Sequence, residues 1–260
     1  MKNFLVQVWS TYKGLCQWLS WSTYIPTVFL LPAIQIILWS ILGRFAIGTE
    51  GAQRIALGLA VLQMNGILVG GIIQTYSFET EFNTLSFFYV SPVNRLVNLI
   101  SRSVLHYPNA LLTFISAVIA AKIVIGLNFG MVNWLGFTTA ILIIAASVTS
   151  FAQFLGMYAL ATKNWIPLSI VSGSIISLLT GAVIPVSAFP AAVQELAKLL
   201  PITNGLFAIR ATFAGAPMAD VYGYVLREAL TGIVYFLLAI VAFRYIELWA
   251  KRTGALSVES

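Results

Sequence analysis

Long apolar runs alternate with short polar breaks along almost the whole chain. Scanning for stretches of about 20 apolar residues marks six of them, at roughly 21–43, 55–75, 104–126, 132–158, 165–185 and 225–248. A helix of that length rises through the ~30 Å hydrocarbon core of a bilayer. Each run therefore predicts a membrane-crossing α-helix. The longest breaks, 76–103 and 186–224, are too short to bury an ordinary soluble core, so residues 1–260 predict one all-α integral membrane domain. Residues 1–20 carry a different pattern. Phe4, Leu5, Val8, Trp9, Tyr12, Leu15, Cys16 and Leu19 share one helical face, with Asn3, Gln7, Ser10, Gly14 and Gln17 opposite. That amphipathic pattern predicts an interfacial helix lying on the membrane, with Lys2 and Lys13 near anionic headgroups.

Composition sharpens the class. At 60% hydrophobic and 8% charged residues, with a mean hydropathy of +0.93, the chain has too little polar surface to clothe a water-soluble core. The net charge of +6 does not point to nucleic acid, because the basic residues stand singly between apolar runs and form no stripe. They mark membrane flanks instead. With the amino terminus in the cytoplasm, the inner side receives Lys2, Lys13, Arg95, Arg102, Lys163, Arg244, Lys251 and Arg252. The outer side receives Arg44, Arg54, Lys198, Arg210 and Arg227, with Lys122 near the outer end of the third run. The inner excess places both termini in the cytoplasm and residues 186–224 outside. One cysteine, Cys16, excludes an intramolecular disulfide and a cysteine-built zinc site and reads as a small packing residue.

Candidate chemistry is sparse. No GxxxxGK[ST] phosphate loop occurs, so the chain has no P-loop with which to bind ATP. His106, the single histidine, has no Cys, Asp or Glu near it in sequence and reads as an interfacial residue rather than a metal ligand or proton relay. No paired carboxylates and no nucleophile with a base stand out, and no catalytic or metal-binding residue is predicted. A secondary transporter would place ionisable groups at mid-membrane. Lys122, Arg227, Glu228, Arg244 and Glu247 all fall near the ends of apolar runs, where snorkelling accounts for them.

Two stretches carry a resemblance. After the second run the chain reads Glu79-Thr80-Glu81-Phe82-Asn83-Thr84-Leu85, then Phe87-Phe88-Tyr89-Val90-Ser91-Pro92-Val93. This resembles the cytoplasmic coupling helix of the ABC-2 type (type-2 ATP-binding-cassette) exporter permeases, which commonly reads Glu-x-Glu-x-Gly-Thr-Leu followed by a hydrophobic run and Ser-Pro-Val. Thr80, Phe82 and Asn83 depart from the Arg and Gly frequent there. The second stretch, residues 178–215, places Gly181, Pro185, Pro190, Pro201 and Arg210 where the same family has a broken segment before its last span. Together with six spans, the two stretches cover nearly the whole chain.

The resemblance implies a homodimeric permease with two copies of a separate ABC ATPase chain. ATP and magnesium would be held only in that partner, and no cofactor in this chain. It implies coupling through residues 76–92, with Glu79 and Glu81 offering charge and Phe87, Phe88 and Tyr89 apolar anchors beside Thr84 and Ser91. Pro92 ends that helix, because proline removes a backbone donor and disfavours helix at the preceding residue. It also implies export across a bacterial or archaeal cytoplasmic membrane, while the apolar, aromatic-rich runs suit a hydrophobic or amphipathic cargo such as a drug, an antibiotic or a lipid-linked compound. A polysaccharide or lipo-oligosaccharide exporter, a secondary transporter and a non-transport interaction protein stay open as alternatives.

Two further expectations come from the residues. Ser169, Gly173, Ser177 and Gly181 recur every fourth residue, and Gly66 with Gly70 form a small-xxx-small pair. Such faces let helix backbones approach closely, within one chain or between subunits. In 186–215, Phe189, Val193, Leu196, Ala197, Leu199 and Leu200 are too apolar for an open aqueous loop and too few to cross the bilayer. They predict a re-entrant segment broken by Pro185, Pro190 and Pro201, lidding the path with Arg210 at its rim, Ala191 and Thr212 open to water and Leu199 shielded.

Overall fold

A computed structural model describes residues 21–81, 101, 103–162 and 165–253. The interfacial helix predicted at 1–20 and the part of the coupling helix from Phe82 to Pro92 lie outside them. Among the described residues every regular element is helical. A short helix α1 (Trp21–Ile25) passes through a π-helical turn (Pro26–Leu30) into α2 (Leu31–Glu81). After it come α3 (His106–Ile125), α4 (Trp134–Thr162), α5 (Trp165–Leu179), a 3-10 turn (Val186–Ala188), α6 (Ala191–Leu199), α7 (Thr203–Phe213) and α8 (Met218–Thr253). Among the described residues four helical stretches are long and apolar enough to cross a membrane: Pro26–Phe78, His106–Ile125, Trp134–Leu160 and Met218–Ile246.

The first of these cannot be straight. At ~1.5 Å per residue the whole of α2 would exceed 70 Å, more than twice the hydrocarbon thickness. Gly48 breaks it, with φ 77° and ψ −174°, a conformation open to glycine and strained for other residues. The two halves then run back along each other. Gly43 lies against Ala52 and Ile55, and the Gln63 side-chain amide donates to Gln35 Oε1, pairings centred within two residues of Gly48. The polar break predicted at 44–54 is thus helical on both sides of one turning residue.

The second half of α2 and α4 form the centre. Leu57, Val61, Met64, Leu68, Ile72 and Tyr76 recur every three or four residues, the stripe of a helix with one buried face. On α3 the stripe is Ala110, Thr113, Phe114, Ala117 and Ala121, mostly small side chains, which lets α3 pack closely on α2. The outward faces of α5 and α8 stay apolar and exposed, as in Ile170, Val171, Ile233, Leu237 and Val241. That is the pattern of helices solvated by lipid rather than water.

The apolar run predicted at 165–185 is helical only to Leu179. Gly181 follows with φ 82°, and Pro185 lacks the N–H that a continuing helix would need. Gly181 therefore lies beyond the helix that carries Ser169, Gly173 and Ser177.

Three loops meet at one end of the bundle. The Asn133 N–H donates to Thr212 O at 2.9 Å, its Nδ2 to Ala216 O at 3.0 Å, and Arg210 Nη2 to Gly181 O at 2.7 Å. At the other end Tyr76 lies against Gly156, Gln153 Nε2 donates to Ser103 Oγ at 2.9 Å, and α2 continues one turn further to Glu81. From Gly48 to Glu81 that limb is ~50 Å long, enough to carry Glu79 and Glu81 past the hydrocarbon.

Candidate functional site

The broken segment 180–217 is built into the bundle. Helix α6 has proline at its N-cap, Pro190, a residue that fits a helix start because its missing N–H would go unpaired there. Only Ala197 of α6 is buried; Leu196 is exposed, and so is Leu199, expected to be shielded, because it lies on the face of α6 turned away from the bundle. Lys198 Nζ pairs with Glu195 Oε1 one turn back at 2.5 Å. Pro201 and Ile202 turn the chain into α7, most of which is buried: Thr203, Asn204, Gly205, Leu206, Ala208, Ile209 and Thr212. Thr212, expected to face water, is fully buried, because its methyl side packs toward Gly136 and its carbonyl is taken by Asn133.

Two ionisable side chains pin α7. Glu228, in α8, is 0% exposed and not a snorkelling residue at a span end. Its Oε1 accepts the Ile202 N–H at 2.7 Å and its Oε2 the Gly205 N–H at 3.0 Å. The first amides of a helix have no partner within it, and a carboxylate there meets both their hydrogen-bond need and the positive end of the helix dipole. Ile202 has φ 83°, the one non-glycine residue with positive φ among those described. A β-branched residue pays strain in that region, and the bond from its N–H to Glu228 helps hold it there.

The second pin is Arg210, near the other end of α7. Its Nη2 donates to Gly181 O at 2.7 Å, Ala182 O at 3.3 Å and, weakly, Arg54 O at 3.5 Å. It thus ties α7 to the frayed end of α5 and to α2 instead of standing free at a rim. Burial, and then the nearby Arg54 charge, lower its pKa to about 10, so it remains a cation at neutral pH. Close approach supports the seam: a Cβ on Gly58 would overlap the Ala182 main chain.

The remaining predicted residues separate into groups. A Cβ on Gly66, Gly70 or Gly173 would meet nothing within 4 Å, so those faces are open, and Ser169 Oγ is buried without a hydrogen-bond partner. Ser177 Oγ donates to Ser174 O at 3.0 Å on its own helix. His106 is a packing residue: its Nε2 lies 3.0 Å from Thr75 Oγ1, and its ring fills the space a side chain at Gly71 would need. Among the described residues no cluster of three His, Cys, Asp or Glu could hold a metal.

Glu228 is the buried carboxylate that the apolar-run pattern hides, and its burial follows from its place on α8. Among the described side chains of α8 the structure buries Val221, Glu228, Gly232, Ala239 and Phe243, spaced seven, four, seven and four apart. That spacing defines one narrow seam of a helix. A carboxylate on the seam must be buried and must therefore be hydrogen-bonded.

These features define a multi-pass helical membrane protein with one bundle end closed by a broken, pinned segment and a long helix leaving at the other. A sequence model of the ABC-2 type transporter family matches residues 13–214, well over half of the chain. The chain belongs to that family and is a permease of an ABC-2 type transporter. No curated protein matches it.

Proposed function

We propose that this chain is the membrane subunit of an ABC exporter that moves a hydrophobic or amphipathic substrate outward, driven by ATP hydrolysed in a separate ATPase subunit. The observation that carries the reading is the polarity of the bundle: α2 runs out of one end with Glu79 and Glu81 on its last turns, while α6 and α7 close the other. Force applied at the first end can reach the second through the centre, because α2 bears on α4 and α7. The chain itself catalyses nothing in this reading. ATP and magnesium belong to the partner.

Six crossings follow if the two limbs about Gly48 count separately and α5 crosses together with residues 180–185. Both termini and the coupling helix at 76–92 then face the cytoplasm of a bacterial or archaeal cell, and 186–215 forms the outer re-entrant lid. Two permease chains assemble with two ATPase chains, and the open faces at Gly66, Gly70 and Gly173 support a contact between permeases, where small residues allow close backbone approach.

The test is reconstitution. Vesicles holding the permease and its ATPase are expected to move labelled lipids, drugs or glycans only while ATP is hydrolysed. Movement driven by a proton gradient without ATP would make it a secondary transporter, and the absence of both would leave an interaction protein. Topology has its own check in a Cys16→Ser background. Ala191→Cys, on an exposed position, is expected to react with a membrane-impermeant maleimide added outside, and Thr212→Cys, fully buried, is expected to stay unlabelled. Labelling of Ala191→Cys from the cytoplasmic side alone would reverse the orientation.

A further inference from the structure

Between α3 and α4 lies a cavity of about 500 Å³, within the range of small-molecule sites. Ile115, Val118 and Ile119 of α3 face Phe137, Ile141 and Leu142 of α4 across it. One end is different. There Lys122 lines the cavity with Phe129 and Trp134, its Nζ 5.3 Å over the Phe129 ring, and Phe129 stacks on Trp134 at 5.8 Å. Among the described residues Lys122 makes no ion pair. It stands in the last turn of α3, where a cation is favoured by the helix dipole. Aromatic rings and a lysine at the end of an apolar helix are the residues of the membrane–water interface.

We propose that this groove is a binding site for an anionic phospholipid of the surrounding bilayer, with an acyl chain between α3 and α4 and the headgroup phosphate on Lys122. Charge and shape commit to that occupant. The cavity wall is apolar apart from Lys122 and Thr138, so a wholly soluble anion gains nothing from most of the site. An uncharged apolar molecule leaves the lysine without a counter-charge. The lipid satisfies both ends at once. The site lies apart from Gly66, Gly70 and Gly173, and the proposal requires only that the helices cross a membrane. It stands or falls independently of export.

The test uses the full-length chain purified in mild detergent and titrated with dioleoyl-phosphatidylglycerol, dioleoyl-phosphatidylethanolamine or short-chain dihexanoyl-phosphatidylglycerol, with bound lipid counted by native mass spectrometry. Phosphatidylglycerol is expected to bind more tightly than phosphatidylethanolamine. Lys122→Gln should weaken it by about fivefold, the effect of one basic residue near an anionic headgroup, and weaken the zwitterionic phosphatidylethanolamine less. Thr138→Trp, which fills the groove, should weaken both long-chain lipids, whereas Leu178→Trp on an exposed face of α5 should weaken neither. Undiminished phosphatidylglycerol binding in Lys122→Gln overturns the headgroup contact. Dihexanoyl lipid binding as tightly as the dioleoyl form overturns the groove.

Discussion

Reversing charge at Glu79 and Glu81 together, with lysine at both, is expected to abolish ATP-driven transport while leaving the protein inserted. The limb of α2 that carries them is ~50 Å long, against ~30 Å of hydrocarbon, so the substitutions fall outside the apolar core and the insertion signal is untouched. At a docking surface, like charges brought together cost several kcal/mol, and each ~1.4 kcal/mol is a factor of ten in affinity. Co-purification of the ATPase and transport in vesicles should therefore fall together, by tenfold or more. Pro92→Ala should act differently. It lets helix continue where proline would stop it, so the ATPase should stay bound while hydrolysis no longer drives transport. Wild-type assembly and transport in the double reversal would remove residues 76–92 from the coupling role.

Glu228→Ala is expected to be the most destabilising single change in the bundle. It leaves the Ile202 and Gly205 amides buried without an acceptor and releases a backbone conformation that a β-branched residue resists. Leaving a buried donor without its acceptor costs about 1–3 kcal/mol each. A combined loss of about 3 kcal/mol lowers the melting midpoint by roughly 6–12 °C for a chain of this size, read by intrinsic tryptophan fluorescence in detergent. Glu228→Gln keeps one acceptor oxygen of the same reach and should fall between. An unchanged midpoint in Glu228→Ala would show that α7 is held by its apolar packing alone.

Much of this fold is legible in one dimension. The membrane class, the all-helical architecture and the long apolar helices follow from run length alone, because the bilayer imposes a single thickness and demands that every backbone group be paired within its segment. Glu79, Glu81 and the Gly181, Pro185, Pro190, Pro201 and Arg210 series were visible as local departures from that pattern. Run length also misleads at particular places. It carries the fifth helix through Gly181 because hydropathy does not register backbone conformation, and it treats 44–54 as a loop because polar residues there do not reveal that Gly48 alone makes the turn.

The sequence by itself determined where the chain is greasy, where it is broken and which family it resembles, since those are properties of residues and their neighbours. Only the tertiary structure decided what the charged residues do. Glu228 and Gly205 are 23 positions apart, Arg210 and Gly181 are 29, and both contacts exist because α7 is folded in between α4 and α8. A buried ionisable group is tolerated only where hydrogen-bond partners converge on it. Convergence is set by how helices stack, which no local pattern states. The same reason moved Thr212 from the expected water-facing surface to the core: its burial depends on Asn133, in the loop before α4, and Gly136, in α4, not on the residues beside it.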